Sequence, residues 1–336
     1  MGAKWYLGTG AQNDVVINTS IHLARNLRSF PFPARLSLPD KLKVNSVIRD
    51  ATDSISAYNF KYAEMKTLSQ SEVVSLAERH LVSPEFASSR DGRALLLTED
   101  EAVSIMLNEE DHIRLQVMYA GFALDEAFRT ATSIDNELSH KLQFAFDDKL
   151  GYLTQDPTAL GTGMKASVVL HLPGLVSTSQ ITKLITTVSK LGLSLRGSYG
   201  EGAAAKGDMF RLSNTITLGI SERAAIENLK SIALQIAAQE RTARDEIFKT
   251  PVTEDKIYRA YGVLKYARMI DTNEFMELMS LVRLGAVKGI INMDCASIEA
   301  LMIHMQPATI SLSVDRPLDR IERDKLRASL VRQNLG

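Results

Sequence analysis

The sequence predicts an α+β protein in which an antiparallel-rich sheet is flanked by helices and followed by a C-terminal helical domain. Strand-like and helix-like segments are mixed without strict alternation, which argues against a doubly wound parallel sheet. Two strand-like segments, 94–98 and 102–108, are joined by a short polar turn, as in an antiparallel pair. After Thr250-Pro251 the pattern becomes helical almost throughout.

Short apolar or alternating runs predict the strands. In chain order they are 14–17, 94–98, 102–108, 113–120, 152–154, 167–172, 194–196, 208–213 and 215–218. Apolar residues at helical spacing predict the helices. They are 21–27, which the Pro31-Phe-Pro33 stop ends, 36–58, 69–80, 124–142, 179–190 and 221–246. A polar connection at 306–316 interrupts the C-terminal helical pattern, and the domain boundary near Pro251 gives predicted domains of 1–250 and 251–336.

Composition and charge narrow the class of protein. Lys and Arg together number 39 and Asp and Glu together number 40, which gives a net charge of -1. The protein therefore lacks the excess of basic residues that is typical of nucleic-acid-binding proteins. A local basic pocket is still compatible with this balance. Cys295 is the single cysteine, which excludes an intramolecular disulfide and a cysteine-based zinc cage and favours a reducing, cytoplasmic location. No apolar stretch is long enough to cross a bilayer, so we expect no membrane association.

Three segments carry residues that could do chemistry. The run 108–114 (Asn-Glu-Glu-Asp-His-Ile-Arg) places three acids, a histidine and an arginine beside an apolar strand; a solvated turn is the alternative. The loop 160–165 combines two glycines with Lys165, which suits a phosphate, or it is a plain turn. The loop after Arg196 brings this cation together with Glu201 among glycines, or it is a flexible surface loop.

Together these segments resemble the ATP:guanido phosphotransferases, and more closely the bacterial protein-arginine kinases. The closer resemblance rests on Phe-Ala-Phe at 144–146, Gly-Tyr-Leu-Thr at 151–154, Tyr-Gly-Glu-Gly at 199–202 and Phe-Pro-Phe-Pro at 30–33, and it runs from about Asp14 to the C-terminus. The resemblance implies transfer of the γ-phosphoryl group of ATP, with Mg²⁺ bound through the nucleotide, to arginine side chains of proteins. It also implies a C-terminal helical domain used for dimerisation and regulation.

The resemblance assigns a role to several residues. Glu110 and Glu201 match the carboxylate pair that grips the guanidinium; we expect Glu110 to act as base and Glu201 as substrate clamp. Arg114 and Arg196 match phosphate-binding arginines, and His80 matches a nucleotide-contacting histidine.

Other positions depart from the family pattern. The family has Ser-Ser-Arg-Ile-Arg where this chain has Asn-Thr-Ser-Ile-His at 18–22, so Ser20 and His22 replace two phosphate-binding arginines. On the substrate side Asp156 replaces a cysteine, and Lys165 replaces an arginine, keeping the charge but losing the planar fork. These departures predict a protein-arginine kinase with weakened activity; the alternative is an inactive pseudokinase that binds phosphoarginine or regulates a partner.

The C-terminal helix carries a second match. Its Arg323, Asp324, Arg327 and Ala328 fit the Arg-Asp-x-x-Arg-Ala motif of the family's phosphoarginine pocket, in which an arginine meets the phosphate and an acid meets the guanidinium. An ordinary charged helix is the alternative.

The resemblance also implies partners. They are protein substrates with exposed arginines, a zinc-binding activator protein, a Clp ATPase, a stress-response repressor and a second copy of the chain. A free-arginine or creatine-type kinase is not favoured, because the phosphotransferase motifs begin near Asp14 and leave no room for the helical domain that precedes them in those enzymes.

Overall fold

An antiparallel sheet of eight strands forms the centre of the molecule. The structure is a computed structural model that describes residues 4–198, 205–314, 316 and 318–335. The strands are β1 Val16–Arg25, β2 Phe60–Glu64, β3 Ala94–Thr98, β4 Val103–Leu107, β5 Ile113–Ala120, β8 Met164–His171, β9 Leu193–Gly197 and β10 Met209–Asn214. They follow the order β2-β3-β4-β5-β1-β8-β10-β9 with antiparallel neighbours throughout. β6 Phe146–Asp147 and β7 Gly151–Tyr152 form a separate small hairpin.

Helices cover the sheet and form the C-terminal region. They are α1 Leu38–Asp53, α2 Gln70–Glu78, α3 Pro84–Ser88, α4 Leu124–Ser139, α5 Pro173–Ser177, α6 Ile181–Lys190, α7 Glu222–Ile247, α8 Pro251–Tyr266, α9 Thr272–Val287, α10 Cys295–His304, α11 Pro307–Ser311 and α12 Arg320–Leu335. The predicted α+β class, with an antiparallel-rich sheet and a C-terminal helical region, is confirmed. Across the residues that the structure describes, no helix combines the length and the apolar character needed to span a membrane.

The central strand β1 shows how the sheet acquires two different faces. Ile21 and Leu23 are buried in the main core, against which α4 packs. Ser20 and His22 point to the opposite face, because successive strand residues alternate. One face of the sheet therefore carries the main core, and the other carries the polar side chains beside a second apolar cluster that includes Val169 and Met209.

Three of the predicted elements are wrong. The segment 21–27 is predicted to begin a helix, but residues 21–25 continue β1, which pairs with β5 on one side and β8 on the other, and Leu27 forms an isolated bridge to Phe144. A short apolar run does not distinguish helix from strand by itself, and here two neighbouring strands decide. The segment 215–218 is not a strand. The backbone carbonyl of Thr217 accepts a hydrogen bond from the backbone N–H of Thr162. The predicted polar connection at 306–316 contains α11, with Pro307 at its first position.

Buried ion pairs join the C-terminal helices to the sheet. Arg283 of α9 is fully buried and donates to Glu299 of α10, at 3.2 and 2.8 Å, and to the backbone carbonyls of Asn13 and Asp14. Arg244 of α7 donates to the same carbonyl of Asp14 at 2.8 Å. Two buried guanidinium groups thus hold the chain just before β1, which ties the C-terminal region to the start of the central strand.

Removing Arg283 is expected to destabilise the protein strongly. The variant Arg283→Met leaves the Glu299 carboxylate buried without its cationic partner, and breaking such a pair costs about 3–5 kcal/mol. The measurement is the denaturant midpoint, followed by circular dichroism.

The matched control is Arg259→Met, which removes an arginine from an exposed pair with Asp255 and should leave the midpoint unchanged. The double variant Arg283→Met/Glu299→Leu should recover much of the loss, since neither charge is then stranded. Equal midpoints for the two single variants would contradict this account of the junction.

Candidate active site

The polar face of the sheet lines a cleft with a volume of about 480 Å³. Register places Ser20 opposite Met118 and Ser167, and His22 opposite Gln116 and Lys165. The sheet side of the cleft includes Ser20, His22, Arg114, Lys165, Ser167 and Arg211, and the other side includes Glu78, His80, Ser83 and Gln306. The structure therefore brings Ser20, His22, His80, Arg114 and Lys165 together, as five of the sequence-predicted site residues.

Four cations from four strands share this face. Arg114 lies on β5, Lys165 on β8 and Arg211 on β10, and Arg196 on β9 is paired in register with Arg211. Burial and the positive charges of these three arginines lower the pKa of Lys165. The three arginines are close enough to disfavour the charge of Lys165, so the cleft is suited to a ligand that carries several negative charges.

The loop between β4 and β5 is fixed by its own polar side chains. The amide of Asn108 donates to Asn45 at 2.8 Å and to the backbone carbonyl of Gly92 at 3.0 Å. Asp111 accepts from the amide of Asn26 at 2.5 Å and from the backbone N–H of Gln155 at 2.8 Å. The run 108–112 is therefore a braced loop and not a solvated turn.

His112 and Glu109 complete the bracing of this loop. Nδ1 of His112 accepts from the backbone N–H of Leu27 at 3.0 Å, so its Nε2 carries the proton and donates to the carbonyl of Pro31 at 2.9 Å. Burial lowers the pKa of His112 to about 4, and the ring is neutral at pH 7. Glu109 is buried and bonds to Ser83 and, at 2.7 Å, to Arg114.

Glu110 is the one acid of this loop that faces solvent. Partial desolvation and the negative charges of Glu109, Asp156 and Asp111 raise its pKa, while Arg114 acts in the opposite direction. A carboxylate with a raised pKa is a stronger base than an ordinary one. The geometry therefore leaves Glu110 available for proton transfer at the edge of a cationic cleft.

Asp156 lies near Glu110 but is engaged locally. Its carboxylate accepts from the backbone N–H of Thr158 at 2.9 Å and from the hydroxyl of Thr158 at 2.7 Å. These bonds lower the pKa of Asp156 and cap the short turn that begins at Pro157. The negative charge of Asp156 acts to raise the pKa of both Glu110 and Lys165, so Asp156 affects the site electrostatically.

The glycine loop before β8 serves packing. A side chain at Gly161 would meet the carbonyl oxygen of Thr217 at 2.2 Å, and one at Gly163 would meet that of Ala24 at 2.7 Å. Both glycines also have positive φ, +98° and +58°. The loop is therefore a tight turn at which backbone segments pass close to one another, in agreement with the plain-turn alternative. Lys165 follows this turn and lies in the cleft.

The two histidines of the cleft are neutral. Burial and the charges of Arg114, Arg211 and Lys165 lower the pKa of His22 far below its usual value. Burial and Arg211 likewise lower the pKa of His80 to about 3. His22 consequently supplies no positive charge at pH 7. Its Nδ1 is buried and has no hydrogen-bond partner among the described residues.

Arg211 and Ser167 are site residues that the sequence did not reveal. Arg211 donates to the hydroxyl of Ser167 at 3.1 Å, and that hydroxyl shares a hydrogen bond of 2.8 Å with Ser20. Both lie in strands that the sequence predicts, but their face follows from the register of β10 on β8 and of β8 on β1. Glu201, the second predicted carboxylate, lies outside the described residues.

A second, smaller cleft of about 270 Å³ lies in the C-terminal region. Arg323, Asp324 and Arg327 line it, together with Arg320 and the N-terminal residues of α9. The guanidinium of Arg327 is almost fully buried and donates to the carbonyls of Met305 and Ile270 and to Asp324. Ala328 lies in the hydrophobic core and does not line the cleft. Arg327 thus holds together the residues at the base of the cleft, whereas Arg320 and Arg323 line the side of the cleft that is open to solvent.

A short turn separates the two clefts. The carboxylate of Glu78, at the end of α2, accepts from the backbone N–H groups of Ala308 and Thr309 at 2.7 to 3.0 Å and so caps α11. Gln306 lines the cleft on the sheet, and Pro307 lines the C-terminal cleft. The C-terminal region therefore contributes one residue, Gln306, to the lining of the cleft on the sheet.

The described residues contain no group of three or more His, Cys, Asp and Glu side chains arranged to hold a metal ion. The cations that face the cleft favour an anionic ligand over a bare cation.

Comparison with known proteins identifies relatives over the whole chain. A family model described as ATP:guanido phosphotransferase, C-terminal catalytic domain, matches residues 43–243, and one described as protein-arginine kinase McsB C-terminal domain matches residues 251–336. A protein-arginine kinase from Desulforamulus reducens is 43% identical over 99% of this chain and 96% of its own length. One from Symbiobacterium thermophilum is 42% identical over 99% and 97%.

A solved structure shows the same fold. The duplicated taurocyamine kinase from Schistosoma mansoni, with bound transition state analog components, has a TM-score of 0.62 and 26% identity. The similarity covers 69% of this chain and 34% of that one.

Replacing Asp156 is expected to lower the pKa of Glu110. The variant Asp156→Asn removes one of the negative charges that disfavour ionisation of Glu110. Arg114→Gln should move the pKa of Glu110 in the opposite direction, because it removes the opposing positive charge. Carboxyl carbon NMR of labelled protein measures both titrations.

Asp148→Asn, a change at an exposed carboxylate in the β6–β7 hairpin, provides the control and should not move the titration of Glu110. An unchanged or raised pKa in Asp156→Asn would show that Asp156 does not act on Glu110.

Proposed function

Because this chain belongs to the ATP:guanido phosphotransferase family, among the protein-arginine kinases, we propose that it transfers the γ-phosphoryl group of ATP to arginine side chains of proteins. The observation that carries the proposal is the placement of Glu110, with its raised pKa, beside a cleft that Arg114, Lys165, Arg196 and Arg211 make strongly positive. A guanidino group and a triphosphate need opposite charges on adjoining surfaces, and this arrangement supplies both.

The proposed reaction is an in-line displacement at phosphorus. A guanidino nitrogen of the target arginine forms a bond to the γ-phosphorus, the bond from that phosphorus to the bridging oxygen of ADP breaks, and Glu110 accepts the proton that the nitrogen loses. Glu110 must be ionised beforehand, so its acid form is inactive. Arg114, Lys165 and Arg196 hold the phosphates as charge shifts toward ADP. Mg²⁺ bound to the nucleotide neutralises further phosphate charge, and Glu201 is the second carboxylate for the guanidinium.

Three residues support weakened turnover. Ser20 has no charge, and His22 is neutral because burial and three neighbouring cations suppress its protonation. Loss of one well-placed donor to a developing charge typically costs roughly 10²–10³ in rate. Lys165 offers a point charge in place of a planar fork, which further reduces the precision with which phosphate is held.

The C-terminal cleft favours a second function, the binding of phosphoarginine. Arg320 and Arg323 border it, and Asp324 contributes a carboxylate already paired with Arg327 at 2.7 Å. A phosphate can meet the exposed arginines while an acid meets the guanidino group. This function needs no turnover at the other cleft, so it describes equally a pseudokinase that recognises phosphoarginine.

The proposal extends to partners. Exposed apolar side chains on α8, including Val252, Tyr258 and Tyr266, offer a surface to a second copy of the chain. By family membership we propose a zinc-binding activator protein, a Clp ATPase and a stress-response repressor as further partners, with phosphorylated proteins marked for degradation.

Phosphoarginine formation tests the kinase function. Purified protein with Mg·ATP and an arginine-rich protein substrate should give an acid-labile phosphoarginine product, detected by phosphorus NMR and mass spectrometry. Glu110→Gln should lower the rate roughly 10²–10⁴-fold, because it removes the base while keeping the shape.

Glu137→Gln, at an exposed position on α4, is the matched control and should retain the wild-type rate. A wild-type rate no higher than that of Glu110→Gln would overturn the kinase function.

Calorimetry with free phosphoarginine tests the second function. Arg323→Ala is expected to weaken binding roughly 10- to 100-fold, since a hydrogen bond to a charged group contributes about 1.5–3 kcal/mol. Lys325→Ala, an exposed change on the same helix that does not line the cleft, should bind as wild type does. Binding that is indifferent to Arg323 would exclude this cleft.

A further inference from the structure

Arg211 reaches the middle of the cleft from a strand at its far side. Its guanidinium donates to the hydroxyl of Ser167 on β8, and that hydroxyl is bonded in turn to Ser20 on β1. The three residues lie on adjacent strands and on one face, with Arg211 placed diagonally to Ser167 across the β8–β10 ladder. The guanidinium therefore lies two hydrogen bonds from the Ser20 side chain, within the reach of an arginine placed at position 20.

Ser20 itself contributes little bulk to the cleft. Its side chain is almost fully buried, and its hydroxyl is occupied by Ser167. The central strand β1 thus contributes a short, uncharged side chain at this point, and β10, which lies beyond β8 in the sheet, provides the cation.

We propose that Arg211 binds a phosphate group of the nucleotide, and that it supplies from β10 the guanidinium that β1 lacks at Ser20. This inference rests on the proposed function, because it assumes that the cleft takes a nucleoside triphosphate. It assigns a phosphate-binding role to a residue that the sequence motifs do not include.

The electrostatics of the cleft support this role. The charge of Arg211 acts on His22, on His80 and on Lys165, which belong to three different elements that surround the cleft. A guanidinium that influences all three is central to the cleft and not at its margin.

The competing explanation is structural, since the bond from Arg211 to Ser167 also braces two strands. A brace would affect folding but would not respond to the position of the cation. Nucleotide affinity, its salt dependence and the effect of moving the guanidinium separate the two roles.

The first measurement is the Kd for Mg·ATP by calorimetry on the full chain. Arg211→Gln is expected to raise the Kd roughly 10- to 100-fold and to weaken its dependence on salt, because one charged contact to phosphate is lost. Lys61→Gln, which removes an exposed cation from the edge strand β2 of the same sheet, is the matched control and should leave the Kd unchanged.

The second measurement moves the guanidinium. In the Arg211→Gln background, Ser20→Arg should restore most of the lost affinity, whereas Ser20→Arg alone should gain less, because its guanidinium then faces that of Arg211. A Ser20→Arg effect that is the same in both backgrounds would overturn the proposal.

The outcomes separate this inference from the proposed function. If the wild-type chain binds no Mg·ATP, both are overturned together. If it binds Mg·ATP and Arg211→Gln binds equally well while remaining folded, only the role of Arg211 is overturned. If Arg211→Gln fails to fold, recovery of both folding and binding in the double variant supports the proposal, and recovery of folding without binding overturns it.

Discussion

The antiparallel register of the central strands is the constraint on which the site depends. Each strand donates alternate side chains to the hydrophobic core and to the cleft, so a shift of one residue would exchange the two sets. Burial of Ile21 and Leu23 against the helices determines which face of β1 points to the core. Ser20 and His22, which alternate with them along the strand, therefore point to the cleft. The hydrophobic core thereby stabilises an arrangement of like charges that would not assemble by itself.

The loop from Asn108 to His112 shows how a charged sequence becomes a precise structure. Three of its polar side chains, those of Asn108, Asp111 and His112, are used to hold the backbone of neighbouring segments. Glu109 is used to hold Arg114. Because the other side chains are engaged, Glu110 is left at the surface with a fixed backbone beneath it. Rigidity of this kind matters for a displacement reaction, in which small misplacements of the base reduce the rate.

Sequence reasoning predicted the fold better than it predicted the site. The strands at 94–98 and 113–120 followed from local apolar runs, whereas the segment 21–27 was misassigned because its state depends on two distant strands. The neutrality of His22 could not be predicted, since its pKa depends on cations brought together only by folding. Arg211 was missed for the same reason: it lies in a predicted strand, but its face depends on a register that local patterns do not specify.

The turn at Gln306 and Pro307 has a consequence for how the molecule can be divided. Its two residues line different clefts, and the carboxylate of Glu78 fastens the helix that follows. A fragment truncated near residue 250 would lack Gln306 and would strand Glu78 without the N–H groups it now caps. Cutting the chain near residue 250 would therefore disturb the cleft on the sheet, although the cut lies outside that cleft.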